Sequence, residues 1–161
     1  MIDHIKALVL KTATSCVKRG ITLAVAESCT GGGLSYWLSS VPGSSTWFER
    51  GFVTYSNQAK IDMLGVSAET LAQFGAVSEE TAREMAQGVL AHSHADIGIA
   101  ITGIAGPDGG STEKPVGTVW IAAASRSQET FAQQYLFTGD RQEVRLRAIA
   151  QALEMILAGD Y

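Results

Sequence analysis

The order of helix-type and strand-type patterns is the feature that most constrains how this chain folds. Apolar residues recur at helical spacing from Ile2 to Lys18, Gly20 is a typical helix stop, and the apolar stretch Leu23–Ala26 follows as a half-buried strand. Helices and strands then alternate: helices over Leu34–Ser40, Asn57–Leu64 and Glu79–His92, a short helix opening near Ser67, and strands over Phe48–Tyr55 and Asp96–Ile101. This alternation indicates a sheet with helices on both faces.

The last part of the chain departs from the alternation. Two strand-type stretches, Gly117–Ala124 and Thr130–Phe137, are separated by a polar segment short enough for an antiparallel hairpin. Apolar residues spaced by three and four from Arg141 to Leu157 predict a final helix that begins after Asp140. The predicted fold is α/β, a three-layer α/β/α sandwich around a mixed, mostly parallel sheet with a late antiparallel hairpin. No linker interrupts residues 1–161, so we expect one domain.

Composition excludes several classes of protein. Of the 161 residues, 46% are hydrophobic and 17% are charged, which is typical of a globular chain, and no apolar run reaches the roughly 18 residues of a membrane span. A net charge of −4 argues against nucleic acid as a partner. Cys16 and Cys29 are too few for a disulfide framework, and the N-terminus lacks a signal-peptide pattern. We expect a cytoplasmic protein that binds neither nucleic acid nor membranes.

Chemistry is expected first where the strand Leu23–Ala26 runs into Glu27, Ser28, Cys29, Thr30 and three glycines. A glycine run that opens a helix exposes backbone N–H groups at the positive end of the helix dipole, so a hydroxyl held there faces an oxyanion site. Ser28 and Cys29 are both candidate nucleophiles, since a thiol near a helix N-terminus has a lowered pKa. Either Ser28 or Thr30 can also serve simply as a helix cap.

Three strand ends are expected to meet at one edge of the sheet, because ligands of open α/β folds bind beyond the carboxyl ends of the strands. These ends lie at Ser28, Tyr55 and Thr102, and each supplies a hydroxyl. Lys60 follows the second end, and a lysine desolvated in a pocket can lose its proton and act as a base. The alternative for Lys60 is a solvated position on a surface helix, and for Tyr55 a plain strand aromatic.

Other motifs give weaker signals. His92, His94 and Asp96 superficially suggest metal ligands, but they straddle a helix end and no further ligand completes the set. The glycine stretches match neither the dinucleotide nor the Walker pattern, so we expect no metal and no other cofactor. Arg141 opens the final helix, where its guanidinium can clamp a phosphate. Arg145 and Arg147 compete for that role, and an ordinary surface position is the alternative for each.

Five motifs, taken in order, resemble the CinA C-terminal domain family. The resemblance extends over nearly the whole chain, from Ile5 to Ala158. The motifs are AESCTGG at Ala26–Gly32, GFVTYSNQAK at Gly51–Lys60, GAVS at Gly75–Ser78, TGIAGP at Thr102–Pro107 and KPVGTV at Lys114–Val119.

The resemblance implies a stand-alone nicotinamide-nucleotide amidase that hydrolyses the carboxamide of nicotinamide mononucleotide to nicotinic acid mononucleotide and ammonia, a step of pyridine nucleotide salvage. It implies a metal-free mechanism with Ser28 as nucleophile, Lys60 as general base and Tyr55 as a hydrogen-bonding or proton-relay partner. It also implies a homodimer. Substrate contacts are implied for Thr30, Gly31, Gly32, Thr102, Gly103 and Arg141.

Two alternatives stay open at this stage. The same pocket can bind a pyridine nucleotide without hydrolysing it, as a sensing or regulatory module. Within the amidase hypothesis, Cys29 instead of Ser28 can be the nucleophile.

Overall fold

The sheet determines where the ends of the strands meet. The structure is a computed structural model that describes residues 1–159 and residue 161. Over these residues one five-stranded sheet forms in the order β2-β1-β3-β4-β5. Its strands are β1 (Leu23–Glu27), β2 (Phe48–Val53), β3 (Ile97–Gly103), β4 (Thr118–Ser125) and β5 (Phe131–Leu136).

The pairing directions confirm the predicted mixed sheet. β1 lies between β2 and β3 and is parallel to both, whereas β3 pairs with β4 and β4 with β5 in antiparallel register. The predicted hairpin is therefore β4–β5. Because β1, β2 and β3 run in the same direction, their carboxyl ends lie along one edge, which is where open α/β folds bind ligands.

Helices cover both faces of this sheet, which confirms the three-layer α/β/α sandwich. One face packs against α1, α2 and α6, and the other packs mainly against α5, which α3 and α4 flank. In the described residues every helix is too short or too polar to cross a bilayer. The helices are α1 (Ile2–Arg19), α2 (Gly33–Ser39), α3 (Asn57–Leu64), α4 (Ala68–Phe74), α5 (Glu79–Ala91) and α6 (Arg141–Ala158).

Side chains alternate in size across the central strands. Large residues such as Val25 and Ile99 belong to the core on the α1/α2/α6 face, and small residues such as Ala24 and Ala100 belong to the core on the α5 face. α5 approaches the sheet closely: a Cβ added to Gly98 would lie 2.7 Å from the carbonyl oxygen of Ala86. Helices on both faces leave every residue of β1 buried, so the expectation that this strand is half-buried is wrong.

Local signals predicted most element boundaries well. Gly20 and Gly65 end α1 and α3 in the left-handed conformation, with φ of 65° and 70°. Asp140 begins α6 with a capping box that it shares with Glu143. β2 ends at Val53, two residues before the predicted end at Tyr55, because the side chain of Ser56 already caps α3. Tyr55 therefore lies in the turn between β2 and α3.

Candidate active site

Ser28 and Lys60 meet at the carboxyl edge of the sheet. The Nζ atom of Lys60 lies 3.1 Å from Oγ of Ser28 and 2.8 Å from the carbonyl oxygen of Thr54. Lys60 and Leu64 are one helical turn apart and form the buried face of α3, so the lysine lies on the same inward face as Leu64. Lys60 is 1% exposed, and the alternative of a solvated surface lysine is wrong.

Burial controls the protonation of Lys60. It lowers the pKa of the ammonium below the ordinary lysine value, because removal from water disfavours the charged form. Across residues 1–159 and 161, no carboxylate forms an ion pair with Lys60 to offset that effect. In the neutral amine an N–H donates to the oxygen of Thr54, and the nitrogen lone pair is free to accept the Ser28 proton. The arrangement therefore suits a general base.

The neighbouring thiol has the opposite character. Cys29 is 6% exposed, and burial raises the pKa of its thiol to about 11. The expected lowering by a helix N-terminus is not found, since α2 begins only at Gly33 and desolvation is the larger effect. A thiol with this pKa is protonated near neutral pH, so the site favours Ser28 over Cys29 as nucleophile.

The positive end of α2 is occupied by the protein itself. The carboxylate of Glu27 accepts hydrogen bonds from the backbone N–H groups of Leu34, at 2.9 Å, and Ser35, at 2.8 Å. The hydroxyl of Thr30 donates to the same carboxylate at 2.6 Å. The N-cap of α2 is Gly32, without a side-chain cap, so neither Ser28 nor Thr30 is the cap. The expectation that this helix end is open to a ligand is wrong, because the carboxylate of Glu27 takes its donors.

The turn after Ser28 leaves a different pair of donors free. The N–H of Gly31 donates to the carbonyl oxygen of Ser28 at 3.0 Å, whereas the N–H groups of Cys29 and Thr30 have no oxygen acceptor among the described residues. The side chain of Thr30 and the residues Gly31 and Gly32 lie outside the cavity beside Ser28. The substrate contacts expected for Thr30, Gly31 and Gly32 stay a prediction, since none of the three lines the cavity and the Thr30 side chain turns toward Glu27.

A cavity of about 300 Å³ opens beside Ser28 and Lys60. Small-molecule sites are commonly concave and of this size. Besides the Ser28–Lys60 pair it is lined by the predicted residues Tyr55, Thr102, Gly103 and Arg141. Further lining residues are Cys29, Asn57, Ala76, Val77, Ile104, Ala105, Gly106, Asp108 and Gly109.

Arg141 and Tyr55 form one wall of this cavity. The guanidinium of Arg141 donates to the carbonyl oxygen of Gly106 at 2.7 Å and to the hydroxyl of Tyr55 at 2.9 Å. In the described part of the chain, the Tyr55 hydroxyl has no hydrogen bond to Ser28 or Lys60, so the tyrosine is brought to the arginine and not to the pair. The hydroxyl of Thr102 donates to the oxygen of Ala76 at 2.8 Å.

The remaining candidates of the sequence analysis lie elsewhere. Arg145 donates to the carbonyl oxygen of Thr30 at 3.0 Å, behind the turn that carries Ser28. Asp96 accepts hydrogen bonds from the N–H and hydroxyl of Thr22 at 2.8 and 3.1 Å, at the amino end of β3, and His92 caps α5 nearby. Asp96 and His92 thus occupy the opposite edge of the sheet from Ser28.

Sequence reasoning missed two features of the site. Asn57, Val77 and Asp108 line the cavity although no chemical pattern singled them out; the signal was that Asn57 and Val77 lie within quoted motifs and Asp108 directly follows one. The second is Glu27, whose signal was a carboxylate at the end of an apolar strand, directly before the candidate nucleophile. A carboxylate in that position must find donors, because burial without them is costly.

Comparisons with known proteins show the family of this chain. Residues 5–159 match the model of the CinA C-terminal domain. Nicotinamide-nucleotide amidohydrolase PncC from Escherichia coli K12 is 56% identical over 86% of this chain and 84% of its own length. A putative competence-damage inducible protein from Symbiobacterium thermophilum is 52% identical over 86% of this chain but only 34% of its own length.

Solved structures extend the similarity to three dimensions. The crystal structure of competence/damage inducible protein CihA from Agrobacterium tumefaciens superposes with a TM-score of 0.95 and 45% identity, over 98% of this chain and 96% of that one. A CinA superfamily protein from Klebsiella pneumoniae 700603 has a TM-score of 0.92 and 40% identity, and 96% of each chain is covered. The chain belongs to the CinA C-terminal domain family.

Proposed function

We propose that this chain is a nicotinamide-nucleotide amidase, which hydrolyses the carboxamide of nicotinamide mononucleotide to nicotinic acid mononucleotide and ammonia. Relatives that are 56% identical over most of the chain carry the name nicotinamide-nucleotide amidohydrolase. The observation that carries the proposal is the 3.1 Å contact between Nζ of Lys60 and Oγ of Ser28 in a cavity of small-molecule size. This contact supports a serine-lysine dyad.

The first chemical step joins Ser28 to the substrate. Neutral Lys60 accepts the hydroxyl proton while Oγ of Ser28 attacks the carboxamide carbon. Negative charge then develops on the carboxamide oxygen. The backbone N–H groups of Cys29 and Thr30 follow the nucleophile directly, have no oxygen acceptor among the described residues, and are the donors that we assign to this oxyanion.

The second step releases ammonia and regenerates the enzyme. The ammonium of Lys60 returns its proton to the departing nitrogen, so the C–N bond breaks and an acyl ester remains on Ser28. Water then attacks the ester carbon, with Lys60 as base, and the carboxylate product leaves as the Ser28 hydroxyl is restored. The scheme uses water and this chain's own groups.

The arginine of the cavity wall suits the nucleotide part of the substrate. Arg141 is a fixed positive charge there, and a guanidinium matches a phosphate in fork geometry. Thr102 and Gly103 also line the cavity and are assigned to substrate contacts. Tyr55 is assigned to holding Arg141, and a proton-relay role would require its hydroxyl to leave that contact.

The family resemblance carries two further proposals. One is that residues 1–161 act as a single amidase domain, and the other is that the chain works as a homodimer. Sedimentation of the purified chain tests the second directly.

Ammonia release from nicotinamide mononucleotide tests the activity. We expect release by the wild type and none above background from Ser28→Ala or Lys60→Ala. Lys11→Ala is the matched control, because Lys11 is an exposed lysine on α1, and it should release ammonia at the wild-type rate. A wild type that binds the nucleotide but releases no ammonia would instead support the sensing module.

A further inference from the structure

Glu27 is a buried carboxylate without a cationic partner. Its side chain is 0% exposed, and within the described residues it takes part in no ion pair. A carboxylate removed from water is costly unless donors satisfy its oxygens. A neutral side chain would carry a smaller desolvation penalty in this core position, so the presence of a carboxylate calls for an explanation.

The donors to Glu27 come from both ends of the segment that carries the nucleophile. One carboxylate oxygen accepts the hydroxyl of Thr30 at 2.6 Å and the N–H of Leu34 at 2.9 Å. The other accepts the N–H and the hydroxyl of Ser35, at 2.8 and 2.7 Å. The carboxylate therefore ties the turn after Ser28 to the first turn of α2.

The backbone of Glu27 extends the same set of contacts to the base. Its carbonyl oxygen accepts the N–H of Thr54 at 2.8 Å, and the carbonyl oxygen of Thr54 accepts Nζ of Lys60 at 2.8 Å. Ser28 follows Glu27 directly in the chain. Both members of the dyad are thus held through this one residue.

We propose that Glu27 is a positioning residue that sets the contact between Ser28 and Lys60. It lies outside the cavity lining, so it acts through the turn and not on the substrate. The inference rests on the proposed function, because its main readout is amide hydrolysis. The four donors require a side chain with both the length of glutamate and two acceptor oxygens.

Three variants separate position from charge. Glu27→Gln keeps the length but turns an NH₂ group toward one pair of donors, and we expect kcat to fall about 100-fold, the effect of a misplacement near 1 Å, with KM little changed. Glu27→Asp keeps the charge but is one methylene shorter, so it should not restore kcat. Ser35→Ala removes one donor only and should lower kcat less, at unchanged KM.

The pH profile distinguishes positioning from an electrostatic effect on Lys60. A nearby carboxylate favours the ammonium form, so loss of an electrostatic role would move the acid limb of the kcat/KM profile to lower pH in Glu27→Gln. If Glu27 only positions the dyad, Glu27→Gln lowers kcat/KM at every pH and leaves the acid limb at the same pH. Asp96→Asn is the matched control, since this carboxylate also accepts the N–H and hydroxyl of a threonine, at the far edge of the sheet, and kcat should not change.

Covalent labelling separates this inference from the proposed function. Phenylmethylsulfonyl fluoride labels an activated serine: the Ser28 Oγ–S bond forms, the S–F bond breaks, fluoride leaves and Lys60 takes the proton. We expect mass spectrometry to find labelling of Ser28 in the wild type, and labelling at least about 10-fold slower in Glu27→Gln and measurably slower in Ser35→Ala, whatever the natural substrate is.

Several results would overturn the inference. They are a wild type that is not labelled at Ser28, folded Glu27→Gln or Ser35→Ala variants that are labelled at the wild-type rate, and a Glu27→Asp variant that restores kcat. Should Glu27→Gln fail to fold, thermal unfolding followed by circular dichroism will reveal it, and Ser35→Ala then decides the question. Absence of ammonia release with normal labelling of Ser28 counts against the amidase proposal alone.

Discussion

At the residue scale, the chemistry of Lys60 follows from its burial. The ammonium has a backbone carbonyl and a hydroxyl as neighbours but no carboxylate among the described residues. A lysine on a solvated helix keeps its ordinary pKa, whereas this one is driven toward the neutral amine. Burial thus supports the proposal that Lys60 acts as a base.

The pH dependence of activity tests that reasoning. We expect kcat/KM to rise with pH along a limb that lies below the ordinary lysine value of 10.5, because the ammonium cannot accept the Ser28 proton. A pH–rate profile up to about pH 10 measures the limb. A profile without this limb would contradict the assignment of Lys60 as the base.

Stability has a matching pH dependence. The folded chain binds the Lys60 proton more weakly than the unfolded chain, so the free energy of unfolding rises with pH until the ordinary lysine value is reached. At pH values below the lowered pKa of Lys60 in the folded chain, the full destabilisation from burial of its ammonium is present. Urea unfolding of the wild type and of Lys60→Met at several pH values measures it, and the difference between them should shrink as pH rises. A difference that is constant with pH would exclude the penalty.

Thiol reactivity tests the choice of nucleophile. Burial raises the pKa of both Cys16 and Cys29 to about 11 from an ordinary value of 9.0, so the thiolate fraction near neutral pH falls about 100-fold. We expect iodoacetamide to modify both thiols at least about 100-fold more slowly in the folded chain than in urea. Cys16 on α1 is the internal control. Rapid modification of Cys29 alone, with loss of ammonia release, would make Cys29 the nucleophile.

At the scale of elements, the close packing of α3 on α5 holds Lys60 in place. A Cβ added to Gly88 of α5 would lie 2.2 Å from the carbonyl oxygen of Leu64, and Leu64 shares the buried face of α3 with Lys60. A shift of α3 therefore moves Lys60. Packing between two helices is in this way connected to the geometry of the dyad.

Gly88→Ala tests this connection. Overpacking of this kind costs about 1–3 kcal/mol in the free energy of unfolding, and we expect kcat to fall as well because α3 must move. Gly98→Ala is the matched control: its Cβ would press on Ala86 of α5, so it should destabilise the chain while kcat is kept. Urea unfolding and ammonia release measure the two effects. Equal losses of kcat in the two variants would contradict the connection through α3.

At the scale of the whole molecule, the cavity wall exists only because distant segments meet. Arg141 at the start of α6 joins Gly106 in the loop after β3 and Tyr55 in the turn after β2. Residues 55 and 141 are 86 positions apart. The positive charge assigned to the phosphate is thus placed by the fold as a whole.

Arg141→Ala should affect phosphate-bearing substrates most. Loss of a charged hydrogen bond costs about 1.5–3 kcal/mol, so we expect KM for nicotinamide mononucleotide to rise at least 10-fold. The riboside, which lacks the phosphate, should be hydrolysed by the variant and the wild type with similar KM. Arg126→Ala is the matched control, because Arg126 also donates to backbone carbonyls but lies away from the cavity. An equal rise in KM for the nucleotide and the riboside would argue against a phosphate contact.

Local sequence determined the elements and their boundaries. Gly20 and Gly65 end helices because glycine adopts the left-handed conformation without strain, and Asp140 begins α6 because its side chain satisfies a free backbone N–H. The helix-strand alternation was likewise enough to predict the sandwich, and the short polar segment between two strand-type stretches was enough to predict the hairpin. These signals act over a few residues, so the sequence by itself is sufficient for them.

Tertiary structure decided what the site residues contact. Only the fold shows that Glu27 occupies the end of α2, that Lys60 is buried against Ser28, and that Tyr55 joins Arg141. The physical reason is the separation of these residues along the chain, because a pKa or a hydrogen bond depends on which distant groups exclude water and supply partners. Ser28 and Lys60 are 32 positions apart and Tyr55 and Arg141 are 86 apart, separations that lie beyond the reach of any local pattern.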